Sequence, residues 1–373
     1  MTGSTTATNA PVSAPTTRVP FWDNARLVCV ALVVIGHGIQ RLTANSDNAL
    51  TLYLLIYAFH MPAFAIISGY FSKSGSPSIR QMRKVITDIL LPYFIMETIW
   101  TVVQWLVEGK VAFNPTTPSW TLWFLLALGI FRLVLPYLAL VKWPLLWAVI
   151  FSVGVGYLNN VDSTFSLSRA IGILPFFVLG WKLKQWGFVD KWRLVERPTW
   201  VIRAAAIALF ATWLIVIVVN IKQFRDFDLR FWFFYDDSYR GLGEAEWWAG
   251  LVRLALIALA VVLSAAFFVL IPRSNTWITD MGKSTMYVYL LHSFILYPLR
   301  ETTVLKGDEH AHAVYLLAMI LACVAITVML TAPIIKKVFH PIVEPKANWL
   351  FSERATVTEK RTFTDPTGSR RKG

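Results

Sequence analysis

The sequence predicts an all-α fold, a polytopic membrane helix bundle of about ten transmembrane helices with both termini cytoplasmic. Three observations predict it. Of the 373 residues 56% are hydrophobic and 15% charged, with a mean hydropathy of +0.55, whereas a soluble domain carries roughly a quarter charged residues. The apolar residues gather into ten successive runs, most of them close to the length that crosses a hydrocarbon core about 30 Å thick. The basic residues are also divided unevenly between the intervening segments. About 24 Lys and Arg fall on the side of the N-terminus and about 9 on the other, which sets the N-terminal side as cytoplasmic. That division accounts for the net charge of +13 without a nucleic-acid partner.

Taken in order, residues 1–18 are rich in Ser, Thr, Ala and Pro. They lack the basic start and apolar core of a signal peptide and read as a disordered tail. A membrane domain then occupies 19–340. Its first run, 24–41, contains RLVCVALVVIGHGIQ, in which His37 stands near mid-depth, roughly 15 Å beyond Arg26 at 1.5 Å per residue. Asp23 and Arg26 sit at its cytoplasmic mouth. The second run, 49–71, holds His60 near its middle and ends in Ser68, Gly69 and Tyr70; Pro62 interrupts its hydrogen-bond ladder and frees a carbonyl. Arg80, Arg83 and Lys84 follow. Two arginines three apart on one helical face can converge on an anion, and the alternative is ordinary cytoplasmic positive charge. The third run, 85–107, contains Glu97 at mid-depth. Runs at 120–140, 144–159, 169–186 and 200–221 come next, the fifth and sixth being short. The loop after the seventh, KQFRDFDLRFWFFYDDSYRGLGEAEWW, interleaves aromatic and acidic residues. Runs 247–271, 277–299 (with His292) and 313–338 complete the bundle, and a basic cytoplasmic tail occupies 341–373.

Ionisable side chains at membrane depth are costly unless they face a protein interior or a water-filled cavity, so they mark candidate functional positions. His37, His60, His292 and Glu97, predicted at similar depth, form one expected constellation. Imidazole titrates near neutral pH and can take a proton from a hydroxyl. The same groups would serve a proton relay in a glycolipid transporter or exporter, or merely tie helices together. In the long loop Trp232, Tyr235, Asp236 and Asp237 suit a saccharide acceptor, since flat rings stack on sugars while carboxylates bond their hydroxyls; an interfacial aromatic belt is the alternative. Cys29 and Cys323 lie in apolar runs without metal-ligand spacing. No metal site and no phosphate-binding Gly-rich loop is expected.

Five segments in order carry a resemblance. Arg26 and His37, FHMPAFAIISGYF, Arg80 to Arg83, SWTLWFLLALGIFRL and GKSTMYVYLLHSFIL resemble the motifs of the acyltransferase-3 superfamily of integral membrane O-acyltransferases, in the branch related to fucose 4-O-acetylases. The likeness runs from about residue 19 to 338. It implies transfer of an acetyl group from cytoplasmic acetyl-CoA to an extracytoplasmic hydroxyl in a multi-pass plasma-membrane protein of bacterial type. His37 would then be the catalytic histidine, as general base or acyl carrier, and Arg26 the essential arginine of the same motif. Arg80 and Arg83, with Lys84, would serve the CoA side. Asp23, His60, Ser68, Tyr70, Glu97 and His292 are supporting candidates, with Ser68 or Tyr70 considered for the oxyanion. Relatives acetylate capsule and O-antigen sugars, peptidoglycan, antibiotics and trehalose-linked mycolates. A saccharide or glycolipid, including a trehalose-mycolate-type lipid, is the expected acceptor.

Overall fold

The computed structural model describes residues 18–109, 113–193, 199–301 and 313–351. The expected tails, 1–17 and 352–373, lie outside them. Among the described residues the regular structure is helical throughout, as the apolar runs require of a chain whose backbone must satisfy itself in lipid.

Helix α1 (Pro20–Ile39) opens with proline at a position whose missing N–H costs nothing. Its entry is fixed by Asn24, whose side chain donates to the carbonyls of Pro272 and Ser274 and accepts from Thr279. The second run is broken into α2 (Asp47–Tyr57) and α3 (His60–Tyr70). Pro62 falls in the first turn of α3, and having no N–H it leaves the Ala58 carbonyl without its usual helical donor. Helices α4 (Ile79–Val85) and α5 (Leu91–Glu108) are joined by a π-helical turn, Ile86–Leu90, beside Pro92. The extra residue in that turn absorbs the bond that Pro92 cannot make. Then come α6 (Trp123–Leu138), α7 (Pro144–Val155), α8 (Leu167–Trp186), α9 (Phe188–Arg193) and α10 (Thr199–Val219). Short helices α11 (Ile221–Asp226) and α12 (Leu229–Trp232) lie in the aromatic loop, followed by α13 (Ala249–Leu270), α14 (Trp277–Met281), α15 (Thr285–Glu301), α16 (Ala313–Leu330) and α17 (Pro333–Val343).

Seven helical stretches among the described residues are long and apolar enough to cross a membrane: Pro20–Ala44, Asp47–Tyr70, Ile79–Glu108, Thr164–Trp186, Trp200–Val219, Ala249–Leu270 and Ala313–Leu330. Helices α6 and α7 are apolar but shorter, and the predicted run 277–299 is divided between α14 and α15. The Asp47–Tyr70 stretch is 72% buried, against 17% for Trp200–Val219 and 22% for Ala313–Leu330. The split second run is therefore the centre of the bundle and α10 and α16 its lipid-facing rim. The boundary expected at 340 falls inside α17, whose Val343 is buried. Tyr287 donates a hydrogen bond of 2.9 Å to Glu344 just beyond it, so the start of the basic tail is packed onto the bundle.

Candidate active site

The candidate residues sort along α1, which has a basic end and an imidazole end. At the basic end a cavity of about 690 Å³ is lined by Arg26, Ser68, Lys73, Arg80, Lys84 and Arg132 among others. Arg26 stands over the Phe71 ring at 4.5 Å, and its Nη1 lies 3.3 Å from buried Asp23, which also holds Arg18 at 2.6 Å. Asp23 thus fixes the direction of the guanidinium that faces the cavity. Arg80 and Arg83 do not converge. Arg80 lines the cavity, whereas the Arg83 guanidinium lies 4.3 Å from the Phe351 ring centroid. A turn with residues three apart allowed convergence, but the aromatic ring of the returning C-terminal segment takes the second arginine. Arg132 on α6 completes the basic lining.

At the other end, His37 occupies the last turn of α1, about 25 Å along the helix from Pro20. It is therefore beyond the midpoint of the Pro20–Ala44 stretch, nearer the end opposite Arg26 than the expected mid-depth. Its ring faces that of His292 on α15 at 5.6 Å and meets the edge of Trp120 at 5.0 Å. His292 Nδ1 lies 2.9 Å from the Val288 carbonyl. A carbonyl can only accept, so Nδ1 carries a proton, and in the neutral ring the lone pair is then on Nε2. Nε2 is buried with no hydrogen-bond partner among the described residues.

The expected constellation of three histidines and a glutamate is only partly assembled. His60 packs on a tyrosine of α2. Its ring meets that of Tyr57 at 4.6 Å, and Tyr57 lies against Gly36, where an added Cβ would come within 2.8 Å of the ring. Among the described residues Glu97 meets no histidine: its carboxylate accepts from Ser119 N at 3.0 Å and Ser119 Oγ at 2.6 Å. The next residue is Trp120, held at φ 36, a conformation that bulky side chains rarely adopt. Tyr289 on α15 donates to the Thr121 carbonyl from the other side. Two buried anchors therefore pin the strained residue whose ring abuts His37.

Two supporting candidates for the oxyanion lie elsewhere. The Tyr70 hydroxyl donates to Asp190 at 2.7 Å and its ring packs on Trp22 at 4.3 Å, about 22 Å along α1 from His37. Ser68 lines the basic cavity and donates to the Phe64 carbonyl at 2.9 Å. Both stand at the basic end of the bundle, at the opposite end of α1 from His37.

The aromatic loop is not an exposed platform. Trp232 and Tyr235 are 0% and 2% exposed. Trp232 is stacked between Phe227 and Tyr239, and the Tyr235 backbone presses on Gly172, where a Cβ would come within 2.5 Å of its carbonyl oxygen. The rings form the loop's own core because the segment folds back between α7, α8 and α13. Asp237 presents its carbonyl to Arg253 at 3.5 Å, while Asp236 pairs with Arg169. Sequence reasoning missed Arg169, Trp120 and Tyr57 as parts of the site. For Trp120 the signal was present, in the SWTLWF segment; for Arg169 it was a single charge at the head of a span.

The family model described as an acyltransferase domain matches residues 19–333. The nodulation protein NolL of Mesorhizobium japonicum is 30% identical over 95 residues, about 25% of each chain. The match thus spans a quarter of that relative's length. No solved structure matches.

Proposed function

We propose, since the chain belongs to the acyltransferase-3 family, that it is a membrane O-acetyltransferase. It takes the acetyl group of cytoplasmic acetyl-CoA and delivers it to a hydroxyl of an extracytoplasmic saccharide or glycolipid. The observation that carries this reading is the polarity of α1, with a basic cavity at one end and two adjacent imidazoles at the other. The phosphates of CoA suit Arg26, Arg80, Lys84 and Arg132, because guanidinium and ammonium groups pair with phosphate oxygens. The thin pantetheine arm then runs along α1 and presents the thioester to His37.

In direct transfer an imidazole takes the proton of the acceptor hydroxyl as its oxygen attacks the thioester carbonyl, the C–S bond breaks, and CoA leaves as the thiolate that recovers the proton. In the two-step route a His37 ring nitrogen attacks the thioester carbonyl and the C–S bond breaks, with CoA leaving as the thiolate. The acceptor oxygen then attacks the acetyl-imidazole, the C–N bond breaks to return the ring, and the hydroxyl proton ends on the CoA thiolate. His292, with its lone pair on Nε2, is the second base beside it in either route. The chain, on this reading, sits in the plasma membrane with both ends cytoplasmic.

The test is turnover by purified protein in lipid nanodiscs with radiolabelled acetyl-CoA. Wild-type protein is expected to release CoA, and His37→Ala to lower the rate by about a hundredfold or more, the scale of losing a general base. Wild-type turnover in that variant overturns the role given to His37. No CoA release by the wild type with any alcohol overturns the reaction itself.

A further inference from the structure

We infer that Arg169 and Asp236 form a recognition site for two neighbouring hydroxyls of a neutral sugar ring on the acceptor. The inference rests on the acetyltransferase reading and gives its acceptor a subsite. Arg169, near the start of α8, is paired with Asp236 of the aromatic loop through Nη2 and Oδ2. Their side chains are 21% and 18% exposed. The pair uses one nitrogen and one oxygen of two groups built to meet as a double fork. Arg169 Nε and Asp236 Oδ1 are both buried and have no hydrogen-bond partner among the described residues. A pair serving only to tie the loop to α8 would gain most by closing both bonds, since buried unpaired polar atoms are destabilising. What remains is a donor beside an acceptor.

A hydroxyl group both donates and accepts, so a vicinal diol can accept from Nε with one oxygen and donate to Oδ1 with the other. The guanidinium lies over the Trp123 ring at 4.5 Å and near that of Phe234 at 5.8 Å, so aromatic faces steady the cation that would meet the sugar. Asp236 and Asp237 are matched by Arg169 and Arg253, two carboxylates against two guanidiniums, so the site holds no excess charge for an ionic ligand and suits a neutral polyol.

The site is also held in place, and a tyrosine relates it to the imidazole pair. Tyr235, buried at φ 58, and the close contact with Gly172 hold the neighbouring Asp236 in place. Tyr57 and Tyr289 lie within electrostatic reach of Arg169. Tyr57 packs against Gly36, beside His37, and the Tyr289 ring is 6.4 Å from that of His292. Tyr289 is thus a shared neighbour of Arg169 and His292.

The test compares two acceptor probes, methyl α-D-glucopyranoside, which carries vicinal diols, and 1-propanol, which carries one hydroxyl. The full chain in nanodiscs is assayed as wild type, Arg169→Lys, which keeps the charge but loses Nε, and Asp236→Asn. The ratio of kcat/KM for the glycoside to that for propanol is expected to fall about tenfold or more in each variant, the scale of losing a hydrogen bond to a charged group. An unchanged ratio, including one in which both rates fall together with the melting temperature, overturns the subsite and leaves a structural ion pair. A second measurement needs no reaction: saturating glycoside is expected to raise the melting temperature of the wild type and not of Arg169→Lys. If the wild type releases no CoA, the acetyltransferase reading has failed. The melting shift then decides the subsite alone, and its absence in the wild type overturns it.

Discussion

Glu97 shows how a single buried carboxylate can act on chemistry it never touches. Its two oxygens hold the backbone N–H and the hydroxyl of Ser119, and the strain at Trp120 persists only because both flanks of that residue are tied down. Removing one partner of a buried hydrogen bond leaves the other unsatisfied, at about 1–3 kcal/mol. In Glu97→Ala the Trp120 ring is therefore expected to relax away from His37. A misplacement of about 1 Å near a reacting group can lower a rate on the order of a hundredfold. The expected outcome is a kcat reduced by about ten- to a hundredfold with KM for acetyl-CoA unchanged, because the basic cavity lies elsewhere. Glu97→Gln, whose amide oxygen still accepts from Ser119, should recover much of the loss. A KM for acetyl-CoA that rises in step with the fall in kcat would count against the clamp. From the sequence Glu97 is recognisable as a charge that needs a partner, but its partner is a backbone N–H in a loop, which no spacing rule encodes. His37 and His292 were legible because each interrupts an apolar run. Arg169 was not, because a cation at the head of a helix is unremarkable until the Asp236 loop folds over it.

Helices that cross at close range in lipid depend on small residues, since apolar burial alone does not draw them together there. Helices α3 and α8 meet in this way at two reciprocal points. A methyl group on Gly69 would overlap the Phe177 carbonyl, and one on Gly180 would overlap the Ile66 carbonyl. Neither obstacle is the flexible end of a side chain, so the backbones themselves must part. Gly69→Ala and Gly180→Ala are each expected to destabilise the fold by about 1–3 kcal/mol, the usual range for overpacking. Thermal unfolding in detergent, followed by loss of the monodisperse peak in size-exclusion chromatography, should show a lower midpoint for both. Gly75→Ala, where an added Cβ meets nothing within 4 Å, should match the wild type; equal midpoints for all three would refute the contact. The ten apolar runs were legible as helices from hydropathy alone. The break between α2 and α3 was half visible through Pro62. The inward fold of the aromatic loop was not, because rings that line an interface and rings that fill an interior have the same composition.

At the scale of the whole molecule, the proposed reaction requires that the two ends of α1 open on opposite sides of the membrane. Positive charge is gathered around the cavity at the Arg26 end, and the loop bearing Asp236 covers the His37 end. This arrangement can be tested by labelling, because Cys29 and Cys323 are both free and fully buried and should be silent toward a membrane-impermeant maleimide. Ser76→Cys lies in the exposed turn beside the cavity, and Arg240→Cys in the exposed part of the aromatic loop. In intact cells of a bacterial host the cysteine at 240 is expected to react, and the cysteine at 76 only after permeabilisation. Inside-out vesicles should then use externally added acetyl-CoA, and right-side-out vesicles should not, since CoA carries several negative charges that an apolar core excludes. If both cysteines react from the same side, the donor and acceptor would have to enter by one door. The separation of basic cavity from imidazole pair along α1 would then be an internal feature of the bundle, and transfer across the membrane would have no path.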